Sequence, residues 1–91
     1  MKELPDNVQS YKKTNIFDEN TVPAGLLKDH STKANVWGKV TVIKGKLLYT
    51  IISNAVEEIE LTPDKYGVVE PEVKHFIKPL GQVEFFVEFL K

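Results

Sequence analysis

Between Val36 and Ile52 the chain alternates in the manner of an extended strand. Val36, Gly38, Val40 and Val42 fall on one face, and Trp37, Lys39, Thr41 and Ile43 on the other, because successive strand side chains point to opposite sides. Beyond Lys44-Gly45-Lys46, Leu47, Tyr49 and Ile51 alternate with Leu48, Thr50 and Ile52, so apolar groups lie on both faces. Two such segments around a short glycine-containing turn predict a β-hairpin, the centre of the stretch His30 to Ile52. A hairpin alone is marginal and needs a second layer. Its two apolar faces imply cover by an opposite sheet on one side and by an arm or a second subunit on the other.

The remaining strand signals are shorter. Tyr11, Ile16 and Phe17 mark a strand over Ser10 to Phe17 that packs on a sheet edge or stays an extended arm. Val22-Pro23-Ala24-Gly25 predicts a bend, and Leu26, Leu27 and His30 a short strand after it. Ser53-Asn54-Ala55 reads as a turn into Val56 to Thr62, where Glu57, Glu58 and Glu60 suit an exposed edge that deters strand addition. Pro63-Asp64 predicts the next turn, followed by strands at Tyr66 to Glu70, His75 to Lys78 and Val83 to Leu90, the last two divided by a turn at Pro79-Leu80-Gly81. About seven or eight short strands at roughly 8–12-residue spacing predict an all-β sandwich or small barrel. Residues 1–20 read as an extended arm or edge strand and residues 21–91 as the barrel, within a single domain.

Composition narrows the function classes. At 91 residues, 42% of them hydrophobic, the chain suffices for one core and not for two. All 12 basic residues are lysines, against 13 acids. Without the arginine fork that suits phosphates and guanine edges, nucleic-acid binding is disfavoured. With no cysteine, disulfides, thiolate metal sites and thiol nucleophiles are excluded. MKELPDNVQSYKK lacks the apolar core of a signal peptide, and no run approaches the ~18 residues of a membrane span, so a cytoplasmic protein without membrane partners is expected. Ser10, Ser31 and Ser53 sit in polar connections with no nucleophile-elbow context.

His30, then Trp37-Gly38-Lys39-Val40 leading into Lys44-Gly45, then Pro71 four residues before His75, and finally Val87-Glu88-Phe89, occur in an order that resembles a known family. These are the small cupin-like domains related to the amino-terminal part of the tellurite-resistance protein TehB and to YeaR-like proteins. The resemblance runs from about Tyr11 to the carboxyl end. It implies a cupin-like jelly roll, the small double-stranded β-helix, frequently a homodimer, with a metal in the barrel mouth and a link to toxic-oxyanion stress. The chain also departs from the general cupin pattern. Only His30 stands near the first motif, which has two histidines and a glutamate, and Gly38 falls about where that glutamate is expected. In the second motif His75 matches, the proline comes one place late, and the motif's opening glycine falls near Asp64.

On the residues alone, two histidines, one ahead of the hairpin and one opening a strand, can meet across a sandwich on one divalent transition metal such as zinc, nickel or iron. The resemblance, which also ends on an acidic residue before an aromatic, implies Glu88 as the third ligand, with Glu70 the reserve; Trp37, Tyr49 and Glu70 are expected as pocket residues. Parity opposes Glu88. Val83, Phe85, Val87 and Phe89 share the expected core face, which turns Glu84, Phe86, Glu88 and Leu90 outward unless a bulge shifts the register. Three readings stay open: a binding module for a small molecule or anion, with or without metal; a metal-dependent enzyme; and a structural or dimerisation domain. No glycine-rich cofactor loop is present, so methyltransferase chemistry is not assigned to these residues.

Overall fold

The computed structural model describes all 91 residues, Met1 to Lys91, and is built almost wholly of antiparallel β-structure, with no α-helix. Its strands are β1 (Ser10–Lys13), β2 (Phe17–Asp18), β3 (Trp37–Ile52), β4 (Val56–Leu61), β5 (Gly67–Val69) and β6 (Lys74–Leu90). They form one six-stranded sheet in the order β1-β6-β3-β4, with β2 also paired to β6 and β5 to β3. None of its helical segments is long and apolar enough to cross a membrane.

The strand inventory differs from the expectation in instructive ways. Lys44-Gly45-Lys46 is not a hairpin turn, because β3 runs unbroken through it for 16 residues. Pro79-Leu80-Gly81 is likewise no turn, since β6 runs unbroken for 17 residues. The two long strands pair from Trp37↔Leu90 to Ile52↔Lys74, and the apparent turns are bulges facing each other across that ladder. Leu26 and Leu27 belong to a single 3-10 turn, Ala24–Leu27, rather than to a strand, and His30 forms an isolated bridge with His75. The segment Ser10 to Phe17 is divided into β1 and β2, both paired with β6. The two merged pairs and the lost strand take three from the eight segments expected, and the division of Ser10 to Phe17 restores one, giving six.

The paired bulges form a corner at which the sheet folds over on itself. Val42 pairs with Phe85 and Lys44 with Glu84, which leaves Ile43 as one extra residue on β3. Gly45 pairs with Val83 and Leu47 with Pro79, so Leu80, Gly81 and Gln82 of β6 lie opposite Lys46 alone. Bulges of this kind bend a strand and increase its twist. They also set which residues face inward. One extra residue on β3 moves the buried set from Gly38, Val40 and Val42 to Leu47 and Tyr49, whereas two extra residues on β6 leave Ile77, Val83, Phe85 and Val87 in step. Gly45 makes the corner possible. Its φ is +83°, and a Cβ there would lie 2.1 Å from the Gln82 carbonyl oxygen.

Folding at the corner lays the Leu47–Ile52, β4 and Lys74–Pro79 segments over β1, β2, β5 and the outer halves of β3 and β6. The core between the layers is built of Val40, Val42, Leu47, Tyr49, Leu61, Phe85 and their neighbours, with Phe17 of β2 packed against Phe85 at 5.7 Å between ring centroids. β4 carries the expected edge pattern, burying Ile59 and Leu61 and presenting Val56, Glu58 and Glu60 to water.

Candidate functional site

Away from the corner the two layers part around a cavity of about 380 Å³. Val40 of β3, Val69 of β5 and Ile77, Val87 and Phe89 of β6 supply its apolar walls, and Leu26 closes one side. Strand alternation accounts for this: Val40 and Val87 are cross-strand partners, and Phe89 lies opposite Gly38 on the same inward face.

His30 and His75 stand in the same lining. The turn at Ala24–Leu27 swings the chain back towards β6, where the His30 amide donates to the His75 carbonyl (3.0 Å) and the His75 amide to the His30 carbonyl (2.8 Å). A further bond, from the Glu72 amide to the Thr32 carbonyl, holds the mouth loop. Asn35 and Glu72, on either side of this mouth, have left-handed backbone conformations (φ 66° and 64°).

The backbone bridge sets the imidazole rings 4.0 Å apart, centroid to centroid, with Tyr49 packed edge-on behind His75 at 5.8 Å. Each ring is fixed by its own chain: Nδ1 of His30 lies 2.8 Å from the Lys28 carbonyl, and Nδ1 of His75 lies 2.9 Å from the Val73 carbonyl. A carbonyl only accepts, so Nδ1 carries the proton in both rings and, in the neutral form, Nε2 keeps the lone pair. Neither Nε2 makes a hydrogen bond within the protein. His75 is 4% exposed, and burial pushes its pKa below the usual imidazole value; the Val73 carbonyl opposes this and the nearby His30 charge adds to it. The Tyr49 phenol is held well above its ordinary range, by burial first and then by Glu57 and Glu70, and its hydroxyl donates to the Val68 carbonyl at 2.9 Å.

The structure therefore brings His30 and His75 together and leaves the other nominated residues elsewhere. Glu88 lies between Val87 and Phe89 and, by alternation, on the opposite side of the sheet, paired across the ladder with Lys39 and Lys13. The bulge that would have turned it inward occurs at the corner, and it spares the parity of β6. Trp37 shares this outward face with Lys39. Glu70 forms an ion pair with Lys2 at 2.8 Å and is outside the cavity lining. Tyr49 backs His75 without lining the cavity. At Gly38, where the cupin resemblance expects a glutamate, a Cβ would lie 2.9 Å from the Val69 Cβ, so valine occupies that space. No group of three or more His, Asp or Glu side chains is placed to hold a metal ion.

Lys12 and Lys33 at the cavity mouth were not among the sequence candidates. The alternation of Val83 to Phe89 already pointed Val87 and Phe89 inward. Lys12 had no such signal, because its position depends on the pairing of β1 with Phe89.

An antiparallel sheet folded over an apolar cavity, with paired imidazoles in its lining, defines an all-β domain built around an internal ligand-sized space. The chain belongs to the TehB-like domain family, whose model matches residues 12–87. It is similar to two proteins described as probable S-adenosyl-L-methionine-dependent methyltransferase TehB, from Haemophilus influenzae strains KW20 and 10810. Each is 34% identical over 75 residues, covering 78% of this chain and 26% of the relative. The chain thus spans about a quarter of the length of these curated relatives. The crystal structure of TehB from Haemophilus influenzae superposes with a TM-score of 0.86 at 29% identity, covering 93% of this chain and 32% of that one. A protein from E. coli strain K12 superposes with a TM-score of 0.88 at 23% identity, covering all of this chain and 97% of its own, a likeness of fold alone.

Proposed function

We propose that this domain is a small-molecule-binding module of the cupin type, an accessory or sensing unit that takes its ligand into the cavity between the sheet layers. One observation carries the reading: an apolar cavity of about 380 Å³ into whose lining the fold brings two imidazoles with fixed Nδ1 and unclaimed Nε2 atoms. Ligand sites are typically of this kind, largely apolar with a few polar groups that set orientation, and this volume lies at the small end of their range of about 300–1,000 Å³. In the longer TehB relatives the methyl-transfer chemistry that their name describes would belong to the rest of the chain, with this module binding or presenting a small molecule. The same kinship supports a part in resistance to tellurite or related oxyanions. The test is an amide-resolved NMR titration of the protein with a library of small organic molecules. Ligands that shift His30, Thr32, Val69, His75 and Val87 while leaving the corner unmoved support the module; a library without one such ligand removes it.

A second reading, a divalent transition metal in the mouth, is favoured by the ring fixation. Metal-ligating histidines characteristically give their other ring N–H to a carbonyl or carboxylate. His30 and His75 would supply two nitrogen ligands, and the remaining positions would fall to water or to the bound molecule, because Glu88 faces away. Bound there, a metal would supply a Lewis acid that polarises the ligand. Elemental analysis of the purified, untagged protein decides it. A near-stoichiometric transition metal lost in His30→Ala and His75→Ala supports the metal, and equal content in all three proteins removes it.

A further inference from the structure

The chain has 13 acidic side chains, slightly more than its bases, and yet none of the 14 residues lining the cavity is acidic. The polar members are two lysines, two histidines, two hydroxyl residues and Tyr11. The contrast with a second depression is direct. That one, about 410 Å³ beside the amino-terminal segment, mixes Glu3, Glu57 and Asp64 with Lys2 and Lys65. The charges around the two depressions are therefore sorted differently.

The lysines at the mouth are also free. The ion pairs of the chain join the Met1 amino group to Glu57, Lys2 to Glu70 and Lys46 to Glu60, so neither Lys12 nor Lys33 has a carboxylate partner. Lys13, the neighbour of Lys12, is turned the other way and sits over the Phe86 ring at 4.2 Å. β1 thus presents one cation to the outer face and one to the cavity. No carboxylate stands in the lining to pair with an organic cation, and the side chains there that carry a full charge at neutral pH are the two lysines.

From this sorting we propose that the ligand is a small organic acid, with an apolar body of one ring or a short chain against Val69, Ile77, Val87 and Phe89 and a single anionic head at the mouth beside Lys12 and Lys33. The proposal rests on the small-molecule reading above and specifies its ligand class. The division of labour is physical. The inner walls offer no counter-charge, so a dianion with charge at both ends would have to desolvate one of them without compensation. A neutral apolar molecule would gain nothing from the lysines, whereas an acid gains a charge-assisted contact at the one place where its head stays near water.

The experiment compares three probes of matched shape by calorimetry and NMR: phenylacetate, phenylacetamide and phenethylamine, with hexanoate as the chain-like acid. At least one acid is expected to bind about tenfold or more tightly than the amide, with the amine weakest. Lys12→Gln/Lys33→Gln, altered at two exposed positions, is expected to abolish the preference, bringing the acid down to the level at which the same variant binds the amide. If the amide or the amine binds as well as the acids, or if the double variant keeps the preference, the organic-acid inference falls and the cavity remains a binding site. If no probe of any charge shifts the lining residues, the organic-acid inference falls, and the small-molecule reading stands or falls by the library titration.

Discussion

The two ends of the interior are built from the same strands and behave oppositely. Next to the corner, Leu47, Leu61, Val83 and Phe85 close the space completely, none of them more than 2% exposed. A few residues further along, Val40, Ile77, Val87 and His75 face the same interior and leave about 380 Å³ unfilled. The difference lies in distance from the fold and in side-chain size. At the corner, backbone and bulge force the layers together, and Leu and Phe fill the gap. Farther out, the side chains that face the interior, valines and imidazoles among them, do not fill it. A sheet folded upon itself can thus make its own core at one end and an open cavity at the other.

That contrast can be broken at its closed end first. Phe85→Ala should cost about 3–5 kcal/mol of unfolding free energy in denaturant titration, since a sealed site cannot collapse around the missing ring. A cost under about 1.5 kcal/mol would mean that the corner end is no better packed than the open end. Gly45→Ala should cost about 3 kcal/mol, because it sets a Cβ against the Gln82 carbonyl in a left-handed conformation. Gly81→Ala supplies the control. Its φ is +84° but nothing lies within 4 Å of the added carbon, so only the conformational cost of about 1–2 kcal/mol remains. Equal losses at the two glycines would show that the close approach at Gly45 contributes nothing.

The open end is sharpened by pH. His75 has its folded pKa depressed below the ordinary value of 6.5, so the unfolded chain binds the proton more readily. Stability from this group is accordingly full above about pH 6.5 and is lost as pH falls from there through the folded pKa. His75→Gln should flatten that part of the stability profile. An unchanged slope would place the acid sensitivity elsewhere. The smallest effect is expected at the mouth, where Lys12→Gln and Lys33→Gln should each change stability by no more than about 0.5 kcal/mol in the same titration, in contrast to their effect on acid binding.

Much of this was legible along the chain. The alternation of Val36 to Ile43, the exposed edge of Val56 to Leu61 and the inward set Val83, Phe85, Val87 and Phe89 follow from side-chain period, and the structure bears them out. The two histidines were also visible as the candidate pair. The corner was misread. Lys44-Gly45-Lys46 and Pro79-Leu80-Gly81 have the composition of hairpin turns, because a glycine at positive φ serves a turn and a bulge equally well. Which of the two forms depends on whether a distant strand lies alongside to keep the ladder going, and here each long strand supplies that partner to the other.

What the sequence determined by itself was therefore local: the all-β class, the faces of each strand, the exclusion of thiol chemistry and the identity of the imidazoles. Tertiary structure alone decided that the strands run through their glycines, that Glu88 stays outside and that Lys12 and Lys33 meet at one mouth. The physical reason is that a residue's side is fixed by a period of two along its own strand, whereas its neighbours are fixed by register, and register is set between segments far apart in the chain.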